Sequence, residues 1–346
     1  MARKAGKVSI LTMARELGVS PSTISRVLNN RAGVGEETRR AVLELVRKYD
    51  FKLNYPQQHQ PSIATVVNAK SFSNYTNRIL TGIYAFFANR TFRVNTVALN
   101  PESGSSILEA VREQQCAGII LVQPGYFAGQ LPELAASGLP VMEIDSDSGI
   151  PGIGCIDNDA YSGAVELTRH LLDLGHRKIG FLLRWPDSLN HIQRLKGYRE
   201  TLAEAGITGM ENWVVSESAP CGSVGESGAL MLEELLHREP GITAVIGVND
   251  ELALGAMHRA IRSGMRVPED LSVAGFDDTD FCSLTIPEMT SVTHPCREAG
   301  IRAAAAVAAY IGSNGKTVLP REVLSTRLVP RRSTGPAPCR SGARDK

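Results

Sequence analysis

The chain of 346 residues has little that would suit a membrane, a metal centre or a covalent staple. No run of some 18 apolar residues is present, and MARKAGKVSI passes straight into a polar helical pattern without a signal-type apolar segment. A cytoplasmic location without membrane partners is therefore expected. Cys116, Cys155, Cys221, Cys282, Cys296 and Cys339 are scattered, none at zinc-knuckle or redox spacing, and read as reduced thiols. The seven histidines are equally dispersed, so neither a metal nor any other cofactor is expected. A Gly-rich phosphate loop and a Gly-x-Ser-x-Gly elbow are missing, and no nucleophile stands beside a positioned base. That argues against an enzyme. With 43% hydrophobic residues the chain is long enough for two or three globular domains.

Net charge of +1 conceals an asymmetry. Residues 1 to 60 hold 11 Lys or Arg against 5 Asp or Glu, and residues 331 to 346 hold 5 against 1, which leaves the middle acidic. A basic head on an acidic body suits a DNA-binding arm on a ligand-binding core, because neutralising phosphates supplies much of the affinity for DNA.

The head itself reads as two short helices and a tight turn. Ser9 can cap a first helix whose Leu11, Ala14 and Leu17 recur at helical spacing. Gly18 can end it, and Ser20-Pro21 supplies the next N-cap and first turn. Ile24, Val27 and Leu28 would be buried, leaving Ser22, Thr23, Ser25, Arg26 and Asn29 outward as hydrogen-bonding groups fit for a DNA groove. Gly35-Glu36-Glu37 opens a third helix with Ala41, Val42, Leu45 and Val46 inward, and FKLNYPQQHQ then breaks the periodicity as a linker.

The run Gly18-Val19-Ser20-Pro21-Ser22-Thr23-Ile24-Ser25-Arg26-Val27-Leu28-Asn29 resembles the headpiece signature of the lactose-repressor (LacI/GalR) family of bacterial transcription regulators. The match extends through Val34, Thr38 and Arg39. The resemblance implies a homodimer, or a tetramer, reading double-stranded DNA at a near-palindromic operator, most often as a repressor. Arg26 is the candidate for a bidentate guanine contact and Ser22 a weaker base reader, while Ser20, Thr23, Ser25 and Asn29 would hold phosphates. Pro21, Thr38 and Asn54 complete the expected DNA-facing set. In the family the linker forms a hinge helix that places a leucine in the minor groove; here Phe51-Lys52-Leu53-Asn54, Pro56, Gln57 and Gln60 depart from that pattern.

Beyond residue 62, IATVVNA, FRVNTVAL, AGIILVQ, LPVMEI, RKIGFLL, TAVIGV and LSVAGF read as strands, with helical runs between many of them. Continuous apolar strands of this kind argue an α/β fold of doubly wound parallel sheets, and their number argues two lobes. The resemblance implies a periplasmic-binding-protein-like core with three crossovers, expected near residues 157, 288 and 320. The expected domains are a helix-turn-helix headpiece at 1–50, a hinge at 51–62, an effector and dimerisation core at 63–333, and a disordered tail at 334–346.

Ligands of such sheets sit beyond the carboxyl ends of strands. Asn249, Phe276 and Asp277, Trp185 and Asp159 each follow a strand, Tyr75 lies in the loop after the first one, and Arg194 precedes Leu195-Lys196-Gly197-Tyr198. Arg194, Asn249 and Asp277 look like the family's effector positions, as do Asp159 and Tyr75. Guanidinium, amide and carboxylate groups grip neighbouring hydroxyls in pairs while an aromatic face covers a ring, which fits a sugar or a derivative. Leu174-Gly175-His176-Arg177 is read as a helix stop. The competing reading is a sugar-binding protein or an enzyme on the same core without a DNA role, and the headpiece argues against it.

Overall fold

The computed structural model describes residues 9–28, 33–49, 60–70, 73–185, 188–217 and 222–338. The chain forms two compact units, Met1–Gln60 and Pro61–Lys346. Asn29, Asn54, the hinge up to residue 59 and the last eight residues of the tail lie outside the described residues. Among the described residues, no helix is long and apolar enough to cross a membrane.

The first unit holds three helices, α1 (Ile10–Leu17), α2 (Pro21–Leu28) and α3 (Glu36–Lys48). Ser9 Oγ accepts from the Thr12 amide at 3.3 Å, and Gly18 closes α1 at φ 63°, a conformation that costs glycine little. Ser20 Oγ then accepts from the Thr23 amide at 3.1 Å, so only three residues separate α2 from α1. Met13, Ala14, Ile24, Val27, Leu28, Val42 and Leu45 form the core. Leu11, expected on the inner stripe, is 59% exposed, and Met13 is buried in its place. In a helix of barely two turns, spacing alone does not fix which side faces in.

The second unit has two lobes, each with a six-stranded sheet. In lobe 1 the order is β11 (Arg321–Leu324), β5 (Ile153–Asn158), β4 (Val141–Ile144), β3 (Cys116–Val122), β1 (Ser62–Asn68) and β2 (Arg93–Leu99), all parallel. In lobe 2 the order is β12 (Leu328–Val329), β10 (Thr290–Thr293), β9 (Ser272–Asp277), β8 (Ala244–Gly247), β6 (Ile179–Leu183) and β7 (Val214–Ser216). Only β12 runs antiparallel to its neighbour. Helices α4 (Asn74–Phe87) and α11 (Cys296–Gly312) cover one face of the first sheet, α5 (Ile107–Glu113) and α6 (Leu131–Ala136) the other. Lobe 2 is clad by α7 (Ala160–Asp173), α8 (Leu189–Glu204), α9 (Val224–Arg238) and α10 (Asp250–Arg262). The pair α4 and α11 packs backbone to backbone: a Cβ on Gly82 would strike the Arg297 carbonyl, and one on Gly300 the Ile79 carbonyl. That contact fixes the start of α11 against the middle of α4.

The chain passes between lobes at Asn158–Asp159, at His294–Pro295 and across 325–327. The last two crossings fall some residues beyond the expected 288 and 320, because β10 and β11 must first be completed. Their short runs TSVT and REVL carry too little apolar signal to read as strands.

A further difference concerns the C-terminus. Residues 333–338 are not a loose tail: Ser333 is fully buried, its Oγ donates to the Val273 carbonyl at 2.6 Å, and its backbone bonds Val273 and Glu288. Gly335 N donates to Ser272 Oγ at 3.1 Å, and Ala337 N to the Leu174 carbonyl at 2.8 Å. His176, also fully buried, lies 3.0 Å from the Gly335 carbonyl through Nε2 and 2.8 Å from Thr243 Oγ1 through Nδ1. Because a carbonyl can only accept, Nε2 carries the proton and Nδ1 accepts the threonine hydroxyl. The Leu-Gly-His-Arg helix stop thus also anchors the strap of residues 333–338. Truncation after Thr334 removes the Gly335 and Ala337 partners, and urea unfolding should show about 1–3 kcal/mol lost, the usual cost of stranding buried polar groups. An unchanged midpoint would show that the strap contributes nothing.

Candidate functional site

On α2 the apolar spacing turns Ile24, Val27 and Leu28 inward and leaves Pro21, Ser22 and Arg26 exposed, with Thr23 and Ser25 half-buried. Ser20, on the turn, is exposed as well, and Thr38 on α3 is half-buried. Ser20 Oγ also lies 2.7 Å from Ser22 Oγ and 2.8 Å from Thr23 Oγ1, so its first duty is to cap α2. Lys48 and Tyr49 both donate to Glu16, tying the end of α3 to α1. The result is a short helix, rigidly held, offering one guanidinium and several hydroxyls.

In the second unit, Arg194 on α8 is the hub. It is 3% exposed; Nη1 donates to the Val248 carbonyl at 2.6 Å and Nη2 to Asp277 Oδ1 at 3.1 Å, and its guanidinium lies 4.3 Å from the Phe276 ring. Arg194, Phe276 and Asp277 are therefore brought together at the ends of β8 and β9. Asp277 adopts φ 103° and Asp278 φ 45°, and Trp185 after β6 and Asp145 after β4 are also left-handed, at 53° and 66°. Non-glycine residues held there carry strain of order 1–3 kcal/mol, and such strain collects at functional sites.

The remaining expected residues divide. Asn249 Oδ1 accepts from the Leu252 amide at 2.9 Å as the N-cap of α10. Asp159 Oδ1 likewise accepts from Ser162 N at 2.9 Å as the N-cap of α7, at the first lobe crossing. Trp185 is half-buried beside the Arg184 guanidinium and the His191 ring. Tyr75 stands in the first turn of α4, not in a loop, because Ser73 caps that helix. Burial, with the Asp145 carboxylate beside it, pushes its phenol well above the ordinary range. Ser223 likewise forms a capping box with Glu226 at the head of α9.

Several residues at this junction escape sequence reading. Asp145 Oδ1 is 2.9 Å from His294 Nε2, and its backbone carbonyl accepts from Asn190 Nδ2 of the other lobe at 3.2 Å. Arg78 on α4 donates across the lobes to the Asp277 carbonyl at 2.7 Å. Arg184 pairs with Glu217 at 2.6 Å, both nearly buried, and its Nη1 lacks a partner, as does Nε of Arg194. Asp145 and Arg184 were within reach of the strand-end rule, since each directly follows an apolar run. Burial and then Asp145 raise the Asp157 carboxyl to about 6. Unpartnered buried groups from both lobes, Asn158 Oδ1, Arg184 Nη1 and Arg194 Nε, are what a polar ligand would satisfy.

Residues 2–54 match the family described as bacterial regulatory proteins, lacI family, and residues 168–334 match a periplasmic binding protein-like domain. The chain is 32% identical over 304 residues to the HTH-type transcriptional regulator GalS of Salmonella typhimurium, covering 83% of this chain and 85% of that one. It is 28% identical over 325 residues to catabolite control protein A of Priestia megaterium, covering 90% and 94%. Among solved structures it is similar to a transcriptional regulator CelR–cellobiose complex, with TM-score 0.67, 28% identity, and 94% and 99% covered. A lac repressor dimer bound to operator and an anti-inducer shares the fold at TM-score 0.76 and 24% identity, with 95% and 99% covered.

One consequence for pH follows from His191, whose Nδ1 donates to the Arg184 carbonyl at 2.8 Å. Burial, then the Arg194 cation, push its imidazole down to about 4. Unfolded, it takes a proton near 6.5, so between about 6.5 and 4 the unfolded state binds more protons and stability falls as pH falls. His191→Gln should flatten that slope in thermal unfolding from pH 7 to pH 4; an unaltered slope would place the acid sensitivity elsewhere.

Proposed function

The chain belongs to the lacI family of bacterial regulatory proteins, and from that premise we propose which of its residues carry each task. The protein is a DNA-binding transcription regulator, not an enzyme, working as a dimer on operator DNA under the control of a small effector. It acts in the cytoplasm, at the chromosome. Arg26 and Ser22, exposed on α2, read base edges, Ser20, Thr23, Ser25 and Asn29 set the register on phosphates, and Pro21, Thr38 and Asn54 complete the DNA-facing set. The effector is sugar-like. It lies between the lobes against Arg194, Asp277, Phe276, Trp185 and Tyr75, with Asn249 and Asp159 at the rim.

The observation that carries this reading is the meeting of Arg194 and Asp277 at the strand ends, with unpartnered buried groups contributed from both lobes. A ligand that satisfies Asn158 Oδ1 and Arg194 Nε together must bridge the lobes. The relative solved with cellobiose supports a sugar in this role.

Selection from random DNA should recover an inverted repeat, and Arg26→Ala should lose about 1–3 kcal/mol at one base pair of each half-site. Uniform weakening at every position would make Arg26 a phosphate contact instead. A thermal-shift screen of sugars, sugar acids and nucleosides identifies the effector, whose binding should couple reciprocally to operator affinity by about 1–3 kcal/mol. Asp277→Asn keeps the size of the side chain and should abolish that response while operator binding without ligand persists. A full response from this variant would remove Asp277 from the site.

A further inference from the structure

No nucleophile beside a base is visible in the sequence, yet the fold assembles one where the second crossing meets lobe 1. Cys296 opens the 17-residue helix α11, and its Sγ lies 3.1 Å from His294 Nδ1. On the far side of the ring, His294 Nε2 reaches Asp145 Oδ1 at 2.9 Å, and Asn158 Nδ2 donates to the same oxygen. Sulfur, imidazole and carboxylate thus stand in the order nucleophile, base and orienter. The Tyr75 ring meets the imidazole edge to face at 5.1 Å and fixes its plane.

The other described cysteines have different surroundings. Cys116 faces Asn95, and Cys282 donates to the Asp250 carboxylate at 3.1 Å. Burial raises the thiols of both, and burial with Asp157 pushes Cys155 up to about 12. For His294 burial acts downward, but Cys296 and Asp145 outweigh it and hold the imidazole well above its ordinary value. A proton leaving this sulfur therefore has a place to go.

We propose that Cys296 is a modification site for hydroperoxides, primed by His294 and positioned through Asp145. The sulfur attacks the terminal oxygen of ROOH, so that an S–O bond forms as the O–O bond breaks. The thiol proton passes to His294 and on to the departing alkoxide, leaving a sulfenic acid and ROH. Sulfur loses two electrons and the peroxide gains them, with no further reductant required.

Access depends on the lobes. Cys296 is 0% exposed and His294 3%, beneath Tyr75 of lobe 1 and beside the Asn190 amide that reaches Asp145 from lobe 2. Peroxide enters as the lobes part, and the added oxygen then occupies a contact that is closed in the reduced protein.

The test is chemical and independent of any effector or operator. The full chain is exposed to hydrogen peroxide with dimedone, and labelling at each cysteine is followed by peptide mass spectrometry. Cys296 should label about tenfold faster than Cys116, Cys155 and Cys282, and His294→Gln should slow it about tenfold while the other three keep their rates as a measure of the intact fold. Equal rates at the four cysteines of the unaltered protein overturn the proposal, and so does a folded His294→Gln chain whose Cys296 labels undiminished. If that variant fails to fold, the comparison within the unaltered chain decides.

Discussion

The guanidinium of Arg194 is the constraint on which the ligand-facing side of lobe 2 depends. Its two terminal nitrogens are committed to the Val248 carbonyl and the Asp277 carboxylate, and its flat face to Phe276. One side chain from α8 therefore sets the ends of β8 and β9 relative to each other. At 3% and 12% exposure these side chains form a pair that is costly to break from one side, since the group left behind is a buried charge. Lysine, a point charge without the planar fork, would not hold both strand ends. The neighbouring Arg184–Glu217 pair extends the same charge lattice along the ends of β6 and β7.

Strain gathers around this hub. Asp145, Trp185, Asp277 and Asp278 all turn left-handed where a strand stops. Unfavourable backbone geometry is kept only where packing over-determines it. Here the over-determination is visible: Asp145 is held through His294, Asn158 and Asn190, and Asp277 through Arg194 and Arg78. Preorganised polar groups of this kind hold their geometry before a ligand arrives, which lowers the ordering cost of binding.

How much of this is legible in the sequence depends on the length of the local signal. Ser9, Gly18 and Ser20-Pro21 announce their helix ends because capping is a property of three or four consecutive residues. The long apolar strands and Arg194 with Asp277 are equally plain, the latter through position and family resemblance. Leu11 misleads because an eight-residue helix offers two plausible inner faces. The strands TSVT and REVL are too short and polar to be seen, and with them goes the true place of the second and third crossings. The Asp145–His294–Cys296 chain is invisible for a deeper reason: Asp145 lies 149 residues before His294, and they meet only once α11 has docked on lobe 1. The strap at 333–338 has no apolar pattern at all, since backbone and hydroxyl hydrogen bonds hold it.

The weaving of one chain through two lobes bears on how the protein is made. Lobe 1 lacks α11 and the edge strand β11 until the chain has passed residue 324, and lobe 2 lacks β12 and the strap over β9 until it has passed 337. On the ribosome, therefore, neither lobe can close in turn while the rest is still being synthesised. The exposed edge of β5 and the open flank of β10 wait for the same last stretch of polypeptide, and unpaired strand edges are where nascent chains associate wrongly. Among its described residues, the headpiece packs around an apolar core of its own. During synthesis the part that meets DNA can be complete long before the part that answers to a ligand, so a chain cut short carries the first without the control of the second.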